Sequence, residues 1–438
     1  MTDMTVGSPM KVIVKFTIPI LLGNILQLTY NIADTRIVGS FLGDHALAAV
    51  GAMATLFSVV IYFLMGLANG FAIATARHFG AHDMNGVHKT FVAAIVMGIG
   101  VALVMTTILQ LFMDPILVFL NVPDSLHDES EGYIRIVVWG LIITMIYDIL
   151  LASARAIGDS LTPLLTLVVS VLLNIAGDII LIVVFGFGVK GVALATLGAQ
   201  LITMTICSVY LLRKYPFFRI KAADFGKLEL PMMKGMMTSG LSMAFMGTLI
   251  AIGSLVLQTA INGLGPSYIV AQSAARRITE VFMTIFNAVG NAMAPYCSQN
   301  LGAGKWDRIH KGIRAGLIIT CSWCAVVLLL VEPLAPVMVQ LVTGSHDQVM
   351  IDAAALYLRI DTTLYILVAI IITLRFSMQG VGDKITPLFS SSIEMIGKII
   401  LTYTLVPVMG YFGVILVEPI TWIFMIIPLV WKVLQWEK

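Results

Sequence analysis

The feature that most constrains this chain is a succession of apolar segments, each long enough to cross a bilayer as a helix. A spanning helix needs about 20 mostly apolar residues. Only 11% of the 438 residues are charged, against about 25% in a soluble domain. We therefore predict an all-α polytopic membrane protein with twelve transmembrane helices, at 14–38, 46–75, 90–113, 132–155, 161–185, 191–212, 236–260, 268–298, 314–337, 352–379, 387–408 and 412–433.

Lysine and arginine residues between the spans indicate the orientation, because they gather in cytoplasmic loops. Most of them fall on the side of the N-terminus, and the opposite side carries only Arg36, Arg135, Lys190 and Arg359. With an even number of spans, both termini are predicted to be cytoplasmic. The basic segment 213–235 follows span six, and we predict that it is a cytoplasmic linker between an N-terminal lobe, 1–212, and a C-terminal lobe, 236–438.

The two halves of the sequence repeat each other, with a nearly constant offset in residue number. The stretch Ala156–Pro163 (AIGDSLTP) matches Gly380–Pro387 (GVGDKITP), and Gly188–Val192 (GVKGV) matches Gly410–Val414 (GYFGV). Several matches in the same order indicate a duplication. Because each half has an even number of spans, the two six-helix halves are expected to be pseudo-symmetric about an axis along the membrane normal, an arrangement that suits alternating access.

Acidic residues inside the spans of the first half are few, and a carboxylate at membrane depth costs about 2.5–3.5 kcal/mol or more. Lys15 marks the cytoplasmic end of span one, and Asp34 follows it by about 28 Å of helix. Asp159 marks the same end of span five, and Asp178 follows it by the same distance. The two carboxyl groups are therefore predicted to lie at a similar level of the membrane.

An amide and a hydroxyl group are predicted at the same level. Asn174 precedes Asp178 by one helical turn and shares its helix face, and Thr196 lies about 9 Å below the outer end of span six. Two carboxylates close together in a low dielectric cannot both ionise cheaply, so the pair can carry a proton. The same oxygen atoms suit Na⁺ bound at Asp34, Asn174 and Asp178.

Each of these residues also has a plainer structural interpretation, which the sequence leaves open. Asp34 could pair with Arg36 or with solvent, and Asp178 could hold a buried hydrogen bond to Asn174. Thr196 could bond its own helix backbone, as threonine in a membrane helix usually does.

Pro19 precedes Asp34 in the same apolar segment, span one. Proline removes a backbone hydrogen bond and permits a kink. We predict a hinge at Pro19, biased by protonation or ligation of Asp34, and a static kink explains the residue equally well.

Other polar residues inside spans are candidates for a substrate cleft or for packing. Glu280 lies within one helical turn of both Arg276 and Arg277, so an ion pair is expected there with one positive charge left over. Glu394 and Lys398 in span eleven are expected to pair in the same way. The cleft candidates are Arg276, Arg277, Glu280, Asp148 and Asp361.

Pro19, the stretch YNIADTRIVGSFLGDHALAAVG, the GDSLTP and GDKITP turns and the two six-span halves resemble the multidrug and toxic compound extrusion (MATE) family over nearly the whole chain. The combination of Asp34 in span one with Asn174 and Asp178 in span five resembles the pattern of the DinF-like prokaryotic branch. Another branch uses acids in spans seven and ten, and span seven here has none. The resemblance implies a multi-pass protein of the prokaryotic plasma (inner) membrane that exports organic compounds, often cationic, in exchange for H⁺ or Na⁺, with Asp34, Asn174, Asp178 and Thr196 as the cation site.

Other classes of function find less support in the sequence. No P-loop, nucleophile elbow or His/Cys metal cluster occurs, so neither an enzyme nor a cofactor other than the coupling ion is expected. The net charge of +2 gives no indication of nucleic acid binding. The expected partners are small organic substrates and the lipid bilayer, with a functional monomer. The alternative is a lipid or oligosaccharide flippase of the same superfamily, for which extra spans and a more basic cavity are expected.

Overall fold

The computed structural model describes residues 2–120 and 122–436, and within these residues it contains helices and no strand. A π-helical stretch, Ile179–Val184, directly continues α6, and two short 3₁₀ segments, Pro216–Phe218 and Ala222–Lys227, follow α7. The α-helices are α1 (Pro9–Gly80), α2 (Met84–Leu111), α3 (Met113–Phe119), α4 (Asp124–Trp139), α5 (Leu141–Ala156), α6 (Leu161–Asp178), α7 (Gly188–Lys214), α8 (Leu230–Asn262), α9 (Pro266–Gly302), α10 (Trp306–Thr343), α11 (Gln348–Thr363), α12 (Tyr365–Val381), α13 (Ile385–Met409) and α14 (Tyr411–Trp436).

The helices confirm an integral membrane protein with many spans. In the described part of the chain, nine helical stretches are long and apolar enough to cross a bilayer, and two bent helix pairs raise the number to 11. Helix α9 contains the predicted span 268–298 and is 37 residues long, but it carries Arg276, Arg277 and Glu280 and is not among them. Gly43, with φ 82°, interrupts α1 between the first two predicted spans, in a conformation that glycine adopts without cost.

Two predicted spans are bent rather than straight. The span predicted at 132–155 consists of α4 and α5, which meet at Gly140 with a bend of 47°, and the span at 352–379 consists of α11 and α12, bent by 52° at Leu364. Gly140 and Leu364 occupy equivalent places in the sequence repeat. A Cβ atom at Gly140 would collide with the side chain of Leu197, so a larger residue here would require Leu197 of α7 to move.

The chain forms two compact units. The first unit comprises Leu22–Ala244 with the residues before Met4, and the second comprises Met4–Leu21 and Phe245–Lys438. Met4, Ile13 and Phe16 are buried in the core of the second unit. Arg308 also holds the N-terminal segment there, because its guanidinium donates to the carbonyl oxygens of Met4 at 3.1 Å and Gly7 at 2.8 Å.

These boundaries differ from the predicted division into 1–212, 213–235 and 236–438. Residues 4–21 belong to the second unit, and the other boundary lies inside α8 rather than in the basic segment. That segment is folded against the first unit: Tyr215 and Phe218 are buried, and the Phe218 ring packs 4.5 Å from that of Phe91. Ring burial therefore fixes the segment after α7, although its charges suggest a solvated linker.

The two GD-x-x-TP turns have similar local structures. Gly158 and Gly382 both have positive φ (79° and 91°). Asp159 accepts hydrogen bonds from Thr162 N at 3.0 Å and Thr162 Oγ1 at 2.7 Å. Asp383 accepts from Thr386 N at 3.0 Å and from its hydroxyl at 2.7 Å. Each aspartate therefore satisfies free N–H groups at the start of the next helix.

Asp159 has further partners that Asp383 lacks among the described residues. It is 3% exposed, accepts from Tyr215 Oη at 2.7 Å and pairs with Lys214 Nζ at 3.2 Å. Burial raises the pKa of Asp159, but the Thr162 and Tyr215 hydrogen bonds and the Lys214 charge outweigh it, so the pKa lies below its ordinary value. A carboxyl group whose pKa is lowered in the native state stabilises the protein above the unfolded pKa and loses that effect as the pH falls.

Replacing Asp159 with Asn is expected to destabilise the first unit by about 2–3 kcal/mol, because buried hydrogen bonds to a charged group are lost. Asp383→Asn is the matched control, and we expect less than about 1 kcal/mol there because Asn caps a helix nearly as well as Asp. Thermal unfolding in detergent measures both. The difference between wild type and Asp159→Asn should shrink below about pH 4, where Asp protonates in the unfolded chain. Equal losses for the two variants, or a difference that grows in acid, would contradict this account.

Candidate functional site

Two carboxyl groups of the first unit, those of Asp34 on α1 and Asp178 at the end of α6, interact directly with each other. Asp178 is fully buried and Asp34 is half-buried. The Oδ1 atom of each is buried and has no hydrogen-bond partner in the described part of the chain. Two ionised carboxylates have no hydrogen to share, so this contact is stable when one of them holds a proton or when a cation lies between them.

Asn174 connects the carboxyl pair to α7. In the amide orientation that satisfies its neighbours, Nδ2 donates to Tyr30 Oη at 2.7 Å and to Asp178 Oδ2 at 3.0 Å, and Oδ1 accepts from Thr196 N at 3.2 Å. Thr196 Oγ1 also lies 3.0 Å from Val192 O, the backbone bond usual for threonine in a helix. The structure therefore brings Asp34, Asn174, Asp178 and Thr196 together.

The close approach of α6 and α7 depends on small residues. A Cβ atom at Gly177 would lie 3.1 Å from Ala195 Cβ, so a larger side chain would push the helices apart and separate Asn174 from Thr196. The π-helical stretch Ile179–Val184 begins directly after Asp178. Such stretches are rare and occur frequently at functional sites.

Two tyrosines of this cluster were missed by sequence reasoning. Tyr30 lies one helical turn before Asp34, on the same helix face, so helical spacing could have found it. Tyr133 on α4 is buried and lies close enough to interact electrostatically with both Asp34 and Asp178. Its sequence gives no signal for this role, because only the packing of α4 brings it to α1 and α6.

The plainer interpretations can be compared with this geometry. Arg36 is exposed and forms no ion pair with Asp34 in the residues that the structure describes. The hydrogen bond between Asn174 and Asp178 is present, so Asp178 has a structural contact as well as its contact with Asp34.

Pro19 lies within the first part of α1, which belongs to the second unit. The helix continues through it, and the boundary between the units falls between Leu21 and Leu22. Asp148 on α5 has a buried Oδ2 with no hydrogen-bond partner among the described residues, and Arg155 is a charged neighbour. Among the described residues, neither Pro19 nor Asp148 has a recorded contact with Asp34 or Asp178.

The predicted ion pairs of Glu280 with Arg276 or Arg277 are wrong. Neither forms within the described residues, and the side chains of Arg277 and Glu280 are exposed. Arg276 is half-buried, and its charge lies within electrostatic range of Asp361 and Glu418 on neighbouring helices.

Asp361 lies at the edge of a buried polar network in the second unit. It is 2% exposed, and its Oδ1 has no hydrogen-bond partner in the described residues. The predicted Glu394–Lys398 pair forms at 3.3 Å, and Lys398 also contacts Glu418 at 3.1 Å. Arg375 pairs with Glu394 at 3.3 Å. These two cations and two anions neutralise each other.

The family model described as MatE matches the chain twice, over residues 19–180 and 242–404. The chain belongs to the MatE family. The two matches are offset in the same way as the repeated motifs of the sequence, Gly188–Val192 and Gly410–Val414. The duplication seen in the GD-x-x-TP turns therefore extends through most of each half of this MatE protein.

Relatives and solved structures agree with this membership. The chain is 27% identical to the probable multidrug resistance protein YoeA of Bacillus subtilis over 69% of this chain and 66% of YoeA. It is 24% identical to the multidrug export protein MepA of Staphylococcus aureus over 85% of this chain and 82% of MepA. It superposes on an outward-facing multidrug resistance MATE family transporter of the MOP superfamily with a TM-score of 0.91, at 23% identity, over 99% of this chain and 97% of that one.

The oxygen atoms of the site include possible ligands for a cation. No group of three or more His, Cys, Asp or Glu side chains suited to a metal occurs in the described ranges. Na⁺ at the predicted position would use the free Oδ1 atoms of Asp34 and Asp178. The Asn174 oxygen faces Thr196 in its satisfied orientation, so the amide would have to turn to become a third ligand.

Proposed function

We propose that this protein is a secondary active multidrug exporter that moves organic compounds, often cationic and amphipathic, out of the cell by H⁺ or Na⁺ antiport. Membership of the MatE family and the likeness to the multidrug proteins YoeA and MepA support the transport function. The observation that carries the coupling proposal is the direct contact between Asp34 and Asp178. Because YoeA and MepA are multidrug proteins, the flippase alternative is not carried forward, and an enzymatic activity is not proposed.

The contacts of the pair support the choice of H⁺ as the coupling ion. When one proton is shared, the two carboxyl groups attract each other. When it leaves, two negative charges repel at close range in a low dielectric. Asn174 holds the Asp178 side by a hydrogen bond, while half-buried Asp34 is the more accessible partner for water. Proton loss therefore has a mechanical result, because it drives α1 away from α6.

We propose the same topology and membrane location that the sequence predicts. Helix α9 crosses the membrane as span eight and brings the total to twelve. Both termini are then cytoplasmic, in a prokaryotic plasma membrane. Alternating access then exposes the substrate to each side in turn. Two halves in one chain suffice for this cycle, so a monomer is the proposed working form, with no cofactor besides the coupling ion.

The function is tested in liposomes that contain the purified protein and an imposed gradient of H⁺ or of Na⁺. A fluorescent organic cation should move against its own gradient only when one of the ion gradients is present. The ion that drives transport identifies the coupling ion. Failure of both gradients to move any of several cations would overturn the exporter proposal.

We also propose that α1 bends at Pro19 when Asp34 is protonated. The unit boundary just beyond Pro19 supports a hinge there. Spin labels at exposed Lys11 and Phe41 are about 45 Å apart along a straight helix, and a bend of about 40° at Pro19 should shorten this by about 2 Å at low pH. A pair at Leu22 and Phe41, wholly beyond the proline, is the control. Unchanged Lys11–Phe41 distances between low and high pH would favour the static kink.

A further inference from the structure

A long apolar groove runs along the second unit between α13 and α14. Its volume is about 920 Å³. Ile396, Ile400, Phe424 and Ile427 line it and are each at least half exposed. Along α14 the lining extends from Thr421 to Gln435, about 21 Å by helical rise. One hydrocarbon leaflet is about 15 Å thick, so the groove is long enough for an acyl chain.

The polar residues of this groove lie mostly at one end: Thr386 at the start of α13, and Lys432 and Gln435 at the end of α14. Thr421 lies at the other end, but it is buried and its hydroxyl donates to Val417 O at 2.6 Å. Lys432 is half-buried and forms no ion pair with any residue that the structure describes. Trp431 and Trp436 flank it, and tryptophan is enriched where the hydrocarbon meets the headgroup layer. The tryptophans therefore indicate that the Lys432 ammonium is near the headgroup layer.

A second groove, of about 600 Å³, lies on α7 of the first unit. Its lining residues Thr205, Ile206, Val209, Tyr210 and Arg213 correspond in the sequence repeat to Ile427, Pro428, Trp431, Lys432 and Gln435 of the first groove. The offset is the one that relates Gly188 to Gly410. The duplication has thus kept a groove on the same face of the sixth helix in both halves.

Each groove has at its polar end one basic side chain that is unpaired among the described residues. In the second unit it is Lys432, followed one helical turn later by Gln435. In the first unit the corresponding pair is Tyr210 and Arg213, and Arg213 is exposed and unpaired among the described residues. The neighbouring Lys214 is already paired with Asp159. The basic side chain has changed position by one turn, while the charge at the end of the groove is retained.

We propose that these two grooves are binding sites for anionic phospholipids. The acyl chain lies along the apolar lining, and the phosphate and its headgroup contact Lys432 in one groove and Arg213 in the other. The charge of the headgroup decides the lipid class. In a zwitterionic headgroup the phosphate is already balanced by the lipid's own cation, whereas an anionic headgroup has a net negative charge that attracts the Lys or Arg side chain. Basic pockets between membrane helices bind acidic headgroups for this reason.

Native mass spectrometry of the full protein in dodecyl maltoside, titrated with dioleoyl phosphatidylglycerol or dioleoyl phosphatidylcholine, tests the proposal. Two phosphatidylglycerol molecules should bind, each about fivefold more tightly than phosphatidylcholine, since one Lys or Arg near a headgroup contributes about 1 kcal/mol. Lys432→Gln and Arg213→Gln should each remove the preference at one site, and the double variant at both. Ile400→Trp, which fills the apolar part of the larger groove, should weaken the binding of both lipids there.

The matched control is Lys311→Gln, which removes an exposed lysine that lines neither groove. It should leave both sites unchanged. Equal binding of the two lipids by the wild type would overturn the proposal, because the grooves would then hold any acyl chain or detergent. It would also be overturned if Lys311→Gln weakened phosphatidylglycerol binding as much as Lys432→Gln.

Discussion

Replacing Asp34 with Asn is expected to abolish gradient-driven transport, with a loss of at least about 100-fold in the initial rate, the lower end of what losing a proton-transfer group costs. An amide at position 34 still hydrogen-bonds to the Asp178 carboxyl group, so the cluster should remain assembled. What it cannot do is release a proton. The measurement is uptake of a fluorescent organic cation by liposomes under a pH gradient, with wild type and variant at equal protein density.

Asp44→Asn is the control on the same helix, since Asp44 is at least partly exposed and lies outside the carboxyl pair. It should transport as the wild type does. Equilibrium binding of the cation without a gradient should survive in Asp34→Asn, which separates a coupling defect from loss of the substrate site. If Asp34→Asn transports at the wild-type rate, the carboxyl pair does not couple transport, although the exporter itself stands.

The largest expected effect on stability is that of Lys398→Met in the second unit. The Lys398 ammonium is 3% exposed and lies between Glu394 and Glu418 at 3.3 and 3.1 Å. Its removal leaves an uncompensated negative charge in a buried network, which costs about 3–5 kcal/mol. Thermal unfolding in detergent should therefore show a large fall in the melting temperature.

A second substitution distinguishes charge from packing. Lys398→Met combined with Glu418→Gln removes one charge of each sign, so much of the lost stability should return, and the two effects should be strongly non-additive. Lys311→Met, at an exposed position, is the control and should be nearly neutral. A double variant less stable than Lys398→Met would mean that the network contributes through shape and hydrogen bonds rather than through charge balance.

The sequence predicted the helical membrane architecture well, because the apolar segments and the repeat are local patterns. Helical rise from Lys15 and Asp159 placed Asp34 and Asp178 at similar depths, and the two side chains meet in the structure. Helical spacing also predicted the Glu394–Lys398 pair, since both residues lie on one face of α13. These successes share a cause: each depends on distances along a single helix.

What the sequence did not predict depends on packing between helices. Tyr133 approaches the carboxyl pair from α4, and Glu418 joins Lys398 from α14. Arg276 forms no ion pair with Glu280 among the described residues, and its charge is instead within electrostatic range of Asp361 and Glu418. Leu197 of α7 packs against Gly140, at the point where the α4–α5 span bends. Periodicity carries no information about such neighbours.

The membership of Met4–Leu21 in the second unit has a consequence for biosynthesis. These residues leave the ribosome first, yet the rest of the unit that buries Met4, Ile13 and Phe16 begins only at Phe245. Domains generally fold as units during synthesis, the N-terminal one first. Here the nascent chain has to keep its first segment undocked until the second half is inserted. Separate expression of the two repeated halves would therefore yield one fragment with an unmatched segment and another with an incomplete core.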